Sequence, residues 1–137
     1  MTPIDNTQRA ATVRAIQLKE YGTVHGVTCD SAGNVCFAAG DGDLVCVAPE
    51  SGRVVRQFKD IGATAGTAFD GTHLWQLTDD TSMRIDPESG EVVHTLPAPA
   101  GVHCSGMAHA EVVLWIGDWD GKSLLKVDIE TSKVEKA

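Results

Sequence analysis

The sequence predicts an all-β fold in which three four-stranded propeller blades follow one another along the chain. The first observation behind this is a recurring phrase, which reads VAPESGRVVRQF at 47–58, IDPESGEVVHTL at 85–96 and VDIETSKVEKA at 127–137. Its acidic residue recurs after 38 residues, from Glu50 to Glu88, and again after 42, at Glu130. One blade occupies roughly 40–50 residues. Each copy of the phrase therefore has room for one blade.

The second observation is that each copy contains four short strand patterns separated by Gly, Pro, Asn and Asp turns. In the first copy they read HGVTCD at 25–30, VCFAAG at 35–40, LVCVA at 44–48 and RVVRQF at 53–58. The second copy repeats this order, and the third ends on a short fourth strand, KVEKA. No segment has sustained helical periodicity with caps. A β-sandwich is the alternative fold for a run of short strands, but it gives no reason for the repeated phrase.

Three blades are too few to close a ring, because closed propellers typically have about four to eight. We therefore expect a homodimer in which two chains complete a six-bladed propeller. The segment TVRAIQLKEYG matches the fourth-strand phrases and is expected to close the last blade of the partner. If the chain is instead a piece of a longer propeller, this strand would find no partner in a second copy. The predicted organisation is a flexible N-terminal arm at 1–11, an outer closing strand at 12–22, and blades at 23–62, 63–100 and 101–137.

Composition limits the partners and the compartment. The chain has 19 acidic and 11 basic residues, a net charge of −8 and no Lys/Arg cluster, so nucleic acid and anionic membranes are not expected as partners. The first dozen residues lack the apolar core of a signal peptide, which makes a cytoplasmic location the expectation. The four cysteines form no CxxC pair and are expected to be reduced packing residues. A disulfide between Cys29 and Cys36 across a hairpin is the alternative.

Two stretches resemble known propeller repeats. HGVTCDSAGNVCFAAG resembles the NHL-type repeat in its first-strand Gly, the Asp that ends the strand and the Gly-Asn before the second strand. AGTAFDGTHLWQLTDDTSMRIDPESGEVV is similar to blades of the virginiamycin B lyase and glutaminyl cyclotransferase-like propellers, with their Asp-Gly, Leu-Trp and Asp-Pro-x-Ser-Gly elements. The likeness extends over residues 22–137. It implies the fold more than an activity, because propellers host many unrelated functions.

In several of these lyase families, the residue before the first-strand Gly points into the central channel, where a His can bind a metal or act on substrate. The resemblance carries that slot to His25, Ala65 and Ser105, and only His25 matches the pattern. His103 lies two residues before Ser105, so it faces the same way along an extended strand.

The resemblance and the chemistry of imidazole together make His25 and His103 the candidate catalytic and metal-binding residues. Two chains would bring four imidazoles to the channel mouth, which suits a divalent ion such as Zn, Fe or Mn. The alternative is that both are polar residues of a water-filled channel. Trp119 stands in a loop between two Asp, where it could stack on a small molecule, and Asp118 and Ser105 are the other candidate substrate-binding residues.

The remaining candidates are given structural roles. His109 is expected to pack between blades, and Trp75 and Trp115 to lie in the core, while His73 and His94 are expected to face solvent. Four acidic residues are expected to form turns rather than bind calcium, namely Asp41, Asp43, Asp79 and Asp80. The absence of a phosphate-binding loop, a G-x-S-x-G elbow and an H-E-x-x-H helix disfavours nucleotide hydrolysis, serine-type acyl transfer and helix-borne zinc proteolysis.

The functional expectation is a metal-dependent enzyme, either a lyase or a related ring-opening or oxygenase activity. It would act on a small cyclic or aromatic molecule in the central channel of the dimeric propeller. The alternative is a non-catalytic propeller scaffold that binds a ligand or a protein.

Overall fold

A computed structural model of the chain describes residues 11, 15–18, 21–40, 42–97 and 103–136. Within these residues the chain forms twelve strands, and all of them belong to four-stranded antiparallel sheets. The strands are β1 (Val24–Cys29), β2 (Val35–Ala39), β3 (Asp43–Val47), β4 (Val54–Phe58), β5 (Thr67–Phe69), β6 (Leu74–Leu77), β7 (Thr81–Ile85), β8 (Val92–Pro97), β9 (Cys104–Ala110), β10 (Val113–Asp118), β11 (Ser123–Asp128) and β12 (Val134–Lys136).

Each sheet is a meander of four consecutive strands, which is the architecture of a propeller blade. We call β1–β4 blade 1, β5–β8 blade 2 and β9–β12 blade 3. The predicted all-β fold of three blades is confirmed. The sandwich alternative is wrong, because every strand pairs with its neighbours in sequence and each repeat forms its own sheet.

The repeated phrase forms the turn between the third and fourth strands of every blade. In blade 2 the Gly90 amide donates to the Asp86 carbonyl, and in blade 3 the Ser132 amide donates to the Asp128 carbonyl, each at 2.9 Å. Gly90 has a φ of 77° and Ser132 a φ of 62°. This left-handed backbone favours glycine. The glycine that ends the PESG sequence of the first two copies therefore suits this turn position. In the third copy Ser132 occupies the same position with a similar backbone conformation.

The core consists of layers between successive blades. Alternate residues on the second and third strands of a blade point to opposite faces, so a blade can pack on a neighbour at each face, as blade 2 does. The layer between blades 1 and 2 contains Cys36, Leu44, Cys46, Leu74 and Ile85. The layer between blades 2 and 3 contains Ala68, Trp75, Leu77, Leu96, Leu114, Ile116, Leu125 and Val127. Trp75 is fully buried, as predicted.

The cysteines differ from the prediction. Cys36 and Cys46 lie directly opposite each other on β2 and β3, with their Cα atoms 4.1 Å apart, and they form a disulfide. Cys29 is exposed and unpaired, and Cys104 is half-buried and unpaired. The expectation of four reduced cysteines is wrong for the central pair, and the Cys29–Cys36 alternative is also wrong. Directly opposed residues on antiparallel strands come close enough to bridge, and the sequence left open the register in which β2 and β3 pair.

Thiol labelling checks this pairing. We expect iodoacetamide, applied to denatured but unreduced protein, to label Cys29 and Cys104 and to leave Cys36 and Cys46 unmodified. After reduction all four should be labelled, and peptide mass spectrometry assigns the sites. Labelling of all four cysteines without reductant would contradict the disulfide.

The two ends of the chain leave one face of blade 1 and one face of blade 3 without a neighbouring blade. The end face of blade 1 is formed by Val35, Phe37, Ala39, Val45 and Val47 and is covered by Leu18 and Tyr21. The opposite end, which we call the bare face of blade 3, carries Trp115 and Lys126 and borders a cleft of about 490 Å³. Trp115 is only partly buried there. Its predicted core position is therefore wrong for the described residues, because none of them forms a further blade against this face.

The N-terminal expectations are only partly within the described residues. Residues 15–18 are not in a strand, and Ile16 and Leu18 lie against blade 1. Blade 3 has its own fourth strand, β12, which pairs with β11 from Leu125 to Val127. Pairing of the 12–22 segment with a partner stays a prediction. The flexible arm predicted for 1–11, together with residues 12–14 and 19–20, lies outside the described residues, apart from residue 11.

Across the part of the chain that the structure describes, no helix has the length and apolar character needed to cross a membrane.

Candidate functional site

The first strands of the three blades, β1, β5 and β9, run side by side because glycine recurs in them every 40 residues. These glycines are Gly26, Gly66 and Gly106. A Cβ added to Gly26 would lie 2.9 Å from the Gly66 Cα, and one added to Gly66 would lie 2.5 Å from the Met107 amide nitrogen. Real Cβ atoms do not approach backbone so closely, so only glycine permits this spacing.

The residues just before these glycines line one cleft. This mouth cleft, of about 360 Å³, is lined by His25, Gly26, Thr64, Ala65, His103, Cys104, Ser105 and Trp119. Four of the five residues singled out from the sequence thus come together: His25, His103, Ser105 and Trp119. Residues from blade 1, blade 3 and the start of blade 2 meet there because the glycines bring the first strands into contact.

The imidazoles of His25 and His103 are exposed, and each has a single polar contact among the described residues. The His25 Nε2 lies 3.3 Å from the Thr23 hydroxyl. The His103 Nδ1 lies 3.5 Å from an Asp120 carboxylate oxygen, and both side chains are 72% exposed. Among the described residues, each imidazole has one polar partner, which it contacts through a single ring nitrogen. The Asp120 carboxylate beside His103 can orient that ring.

Trp119 is 71% exposed, which is unusual for so large an apolar side chain. Its amide donates to the His103 carbonyl at 2.9 Å, so the tryptophan loop is fastened to the histidine segment. The Asp118 carboxylate accepts from the Gly121 amide at 3.1 Å and holds the turn that carries Trp119. Asp118 is not among the residues that line the cleft, whereas Asp120 approaches His103. Ser105 lines the cleft and donates to the Gly117 carbonyl at 3.3 Å.

Cys104 is a cleft residue that the sequence reasoning did not single out. Burial, and secondarily the Asp118 carboxylate, raises the pKa of its thiol. The thiol is thus held in its protonated form at neutral pH and is a poor nucleophile. Its place between His103 and Ser105 was the available signal, but neighbours on a strand point to opposite faces, and only the cleft itself reveals that Cys104 borders it.

A metal ion would need more donors than the described residues of one chain bring together. Among the described residues, no three or more His, Cys, Asp or Glu side chains are grouped so that they could hold an ion. His25 and His103 are the only imidazoles that line the mouth cleft. The described residues of one chain therefore do not form a complete set of metal ligands at the mouth cleft.

A second polar cluster, which we call the Asp70 cluster, lies between blades 2 and 3. Asp70 accepts from the Trp75 indole at 2.9 Å and from the His73 amide at 2.7 Å, and it pairs with Arg84 at 3.3 Å. Burial alone raises the pKa of Asp70, but the amides of His73 and Thr72 and the Trp75 indole outweigh it and lower the pKa from 3.8 to about 2. The guanidinium of Arg84 also stands over the Trp75 ring.

The other histidines and turn residues have structural surroundings. His109 is half-buried beside the Asp70 cluster and lies opposite Leu114 on β10. His94 is exposed, as predicted, and its ring meets the edge of Trp75. His73, which was expected to face solvent, is half-buried, and its Nδ1 lies 2.9 Å from the Thr72 hydroxyl.

The predicted acidic turn residues divide into three cases. Asp79 and Asp80 are exposed turn residues, as expected. Asp43 instead begins β3 and accepts from Gln57 and from the Asp60 amide. Asp41 lies outside the described residues.

Comparison with known proteins supports the fold. No protein-family model matches the sequence, and no curated protein matches it either. Similar solved structures include a catalytically inactive virginiamycin B lyase from Staphylococcus aureus with quinupristin, at 15% identity and a TM-score of 0.65, with 83% of this chain and 40% of that one covered. Another is the Myxococcus xanthus glutaminyl cyclase, at 20% identity and a TM-score of 0.68, with 82% and 48% covered. A third is BamB from Moraxella catarrhalis, at 18% identity and a TM-score of 0.61, with 83% and 36% covered.

These matches and the three meanders define the chain as a β-propeller protein. It spans less than half the length of each of these propeller chains, between 36% and 48%. The resemblance to lyase- and cyclase-type propellers is confirmed for the fold. At such low identity the likeness carries no activity with it.

Proposed function

We propose that two copies of this chain join head to tail as a six-bladed propeller whose channel mouth acts on a small cyclic or aromatic molecule. The observation that carries the proposal is the convergence of His25, His103, Ser105 and Trp119 on one cleft at the start of the first strands. Different observations support the formation of the six-bladed ring and the reaction proposed for its channel mouth.

The ring is supported by the matching of the two end faces. Blade 3 packs on blade 2 through Leu114, Ile116, Leu125 and Val127. The strand registers give the equivalent positions on blade 1, which are Val35, Phe37, Val45 and Val47. At the other end, Trp115 of blade 3 is equivalent to Trp75 of blade 2. The chain thus carries at its two ends the two halves of an interface that it already uses between its own blades.

The first strands give the same indication. A Cβ added to Gly26 or Gly66 would meet the backbone of the next first strand, but one added to Gly106 would meet nothing within 4 Å. Gly106 has the residue type that a close neighbour demands, yet no described residue lies close enough to demand it. A further first strand, such as β1 of a second copy, would supply one.

The chemistry is supported by the polar groups of the cleft. In a closed ring each copy would contribute His25 and His103 to the channel mouth. Imidazole is the side chain best suited to accept and return a proton near neutral pH. The exposed Trp119 ring offers a flat surface for a cyclic ligand. A lyase or ring-opening reaction requires a proton to be removed at one atom and delivered at another, which two imidazoles can do.

A divalent ion is the cofactor that this arrangement would accept on ring closure. The described residues of one chain bring together no complete ligand set, so the metal hypothesis depends on the second copy. His25 and His103 of both copies would be its ligands, and they would supply nitrogen donors of the kind that Zn and Fe accept. The second candidate function is a non-catalytic ligand-binding scaffold. It is favoured by the lack of a complete donor set in the described residues of one chain.

Metal titration tests the proposal directly. We expect untagged, metal-free protein to bind Zn²⁺ with a stoichiometry of about one ion per two chains, measured by titration calorimetry. Such a stoichiometry would place a single ion on the two-fold axis of the dimer. His25→Ala and His103→Ala should each weaken binding by about tenfold or more, because each removes ligands from the ring. His94→Ala, an exposed histidine on β8, is the matched control and should bind as the parent does.

The outcomes separate the two functions. If the protein is dimeric but neither Zn²⁺ nor Mn²⁺ binds, the metal-dependent enzyme is rejected and the scaffold remains. If the chain stays monomeric in sedimentation at micromolar concentrations, the ring itself is rejected.

A further inference from the structure

The end face of blade 1 is not free in this chain. It is apolar and closely covered, with Phe37 2% exposed and Val45 fully buried. Leu18 and Tyr21 pack against it from the N-terminal segment. The Tyr21 ring meets the Phe37 ring edge-on, with centroids 6.1 Å apart and an angle of 73°.

Ile16 extends the cover to the rim of the blade. Its side chain lies beside Gly52, where an added Cβ would come within 2.9 Å of it. Residues 15–18 are not in a strand, and the Tyr21 amide donates to the Leu18 carbonyl at 3.1 Å within the segment itself. The segment therefore contacts blade 1 through the side chains of Ile16, Leu18 and Tyr21.

Among the described residues, none covers the bare face of blade 3 in this way. Leu124, which alternates with the buried Leu125, is 55% exposed. Trp115 is partly exposed beside Lys126, at the edge of the cleft of about 490 Å³. One end of the chain is thus closed by its own N-terminal segment, and the other is open.

We propose that residues 15–18 and Tyr21 form a displaceable cap that competes with a second copy of the chain for the end face of blade 1. The inference rests on the head-to-tail ring proposed above. Phe37, Val45 and Val47 cannot contact Tyr21 of their own chain and Trp115 of a partner at the same time. The cap belongs to the same chain, so its binding does not depend on protein concentration. The fraction of end faces occupied by a partner increases with protein concentration by mass action.

The two competitors differ in size as well as in tethering. The cap offers three side chains, whereas blade 3 offers a sheet face of four strands, which removes more apolar surface from water. We therefore expect the partner to displace the cap at sufficient protein concentration. The strength of the contacts between the cap and blade 1 determines that concentration. Ring closure, and with it a complete channel mouth, becomes dependent on protein concentration.

Weakening the cap should strengthen association. In the full-length chain, Leu18→Ser combined with Tyr21→Ser removes the two apolar contacts with the end face. We expect the dimer dissociation constant from analytical ultracentrifugation to fall by about tenfold or more. Gln17→Ser, at an exposed position of the same segment, is the matched control and should leave it unchanged.

A second variant checks that the dimer uses the bare face. Leu124→Asp should raise the dissociation constant by about tenfold or more in both the parent and the cap variant, because it puts a charge into an apolar contact. Val93→Asp, at an exposed valine on the outer strand of blade 2, is its control.

The parent chain gives an independent readout should the cap variant unfold. Hydrogen exchange of the 15–21 peptide should become faster as the concentration rises through the dissociation constant, while exchange of β6 stays constant. An unchanged or weaker dimer in a folded cap variant, or slower exchange of the 15–21 peptide in the dimer, overturns the cap. Those outcomes would leave the proposed six-bladed ring unaffected. If no variant associates at any concentration, the ring fails and the cap fails with it.

Discussion

Gly66→Ala should destabilise the folded chain by about 2–4 kcal/mol, whereas Gly106→Ala should change its stability by less than about 0.5 kcal/mol. The two glycines occupy the same position in successive repeats, 40 residues apart. A methyl group at Gly66 would lie 2.5 Å from the Met107 nitrogen and 2.9 Å from the Gly106 carbonyl carbon. These are backbone atoms, so β5 and β9 would have to move apart. At Gly106 a methyl group meets nothing within 4 Å.

The same pair of variants tests ring closure. If a first strand of a second copy approaches Gly106 as Met107 approaches Gly66, then Gly106→Ala should raise the dimer dissociation constant by about tenfold or more while leaving the monomer folded. Urea unfolding at low protein concentration gives the stabilities, and sedimentation gives the association. Equal destabilisation by both substitutions would contradict the assignment of Gly106 to an open edge. Normal association of Gly106→Ala would exclude the proposed approach of the first strands.

Asp70→Asn should cost about 1–2 kcal/mol of stability at neutral pH and should remove a pH dependence of the parent. The pKa of Asp70 is lowered from 3.8 to about 2 in the folded chain. A carboxylate with a lowered pKa stabilises the folded state above its unfolded pKa, and the contribution is lost as the pH falls through the folded value. The window therefore runs from about pH 4 down to about pH 2. Screening by nearby solvent keeps the expected magnitude below the full value of the shift.

Urea unfolding followed by tryptophan fluorescence between pH 2 and 7 checks this effect. Asp79→Asn is the control, because Asp79 is an exposed turn residue of the same blade. The parent and the control should lose stability together below about pH 4, and Asp70→Asn should lose less over that range. If Asp70→Asn and the parent show the same slope, the hydrogen bonds from His73, Thr72 and Trp75 do not stabilise the charged form as described.

The fold was accessible from sequence because its determinants are local and repeated. Turns such as that at 86–90 need particular residues, and strands need alternating apolar ones, so both leave a periodic trace. The position of His109, opposite Leu114 as Phe69 is opposite Leu74, also follows from the repeat. Properties that depend on pairing across strands were less accessible. The Cys36–Cys46 bridge is set by the register of β2 and β3, which no single strand reveals.

The candidate site divides in the same way. The sequence identified His25, His103, Ser105 and Trp119 separately, from a repeat slot, strand alternation and an unexpected loop tryptophan. Their meeting in one cleft depends on the close contact of the first strands. The roles of Asp118 and Asp120 also depended on the turn between them, which directs Asp118 to the Gly121 amide and Asp120 to His103.

The sequence by itself determined the number of blades, their strand order and the residue types at each repeat position, because these follow from interactions between near neighbours in the chain. Only the tertiary structure decided which residues become buried, since burial depends on whether another blade lies alongside. Trp75 and Trp115 have the same place in the repeat, yet Trp75 is buried between blades and Trp115 faces outward. The end face of blade 1, with the same apolar pattern as an internal blade, is covered by residues of the N-terminal segment that no repeat predicts.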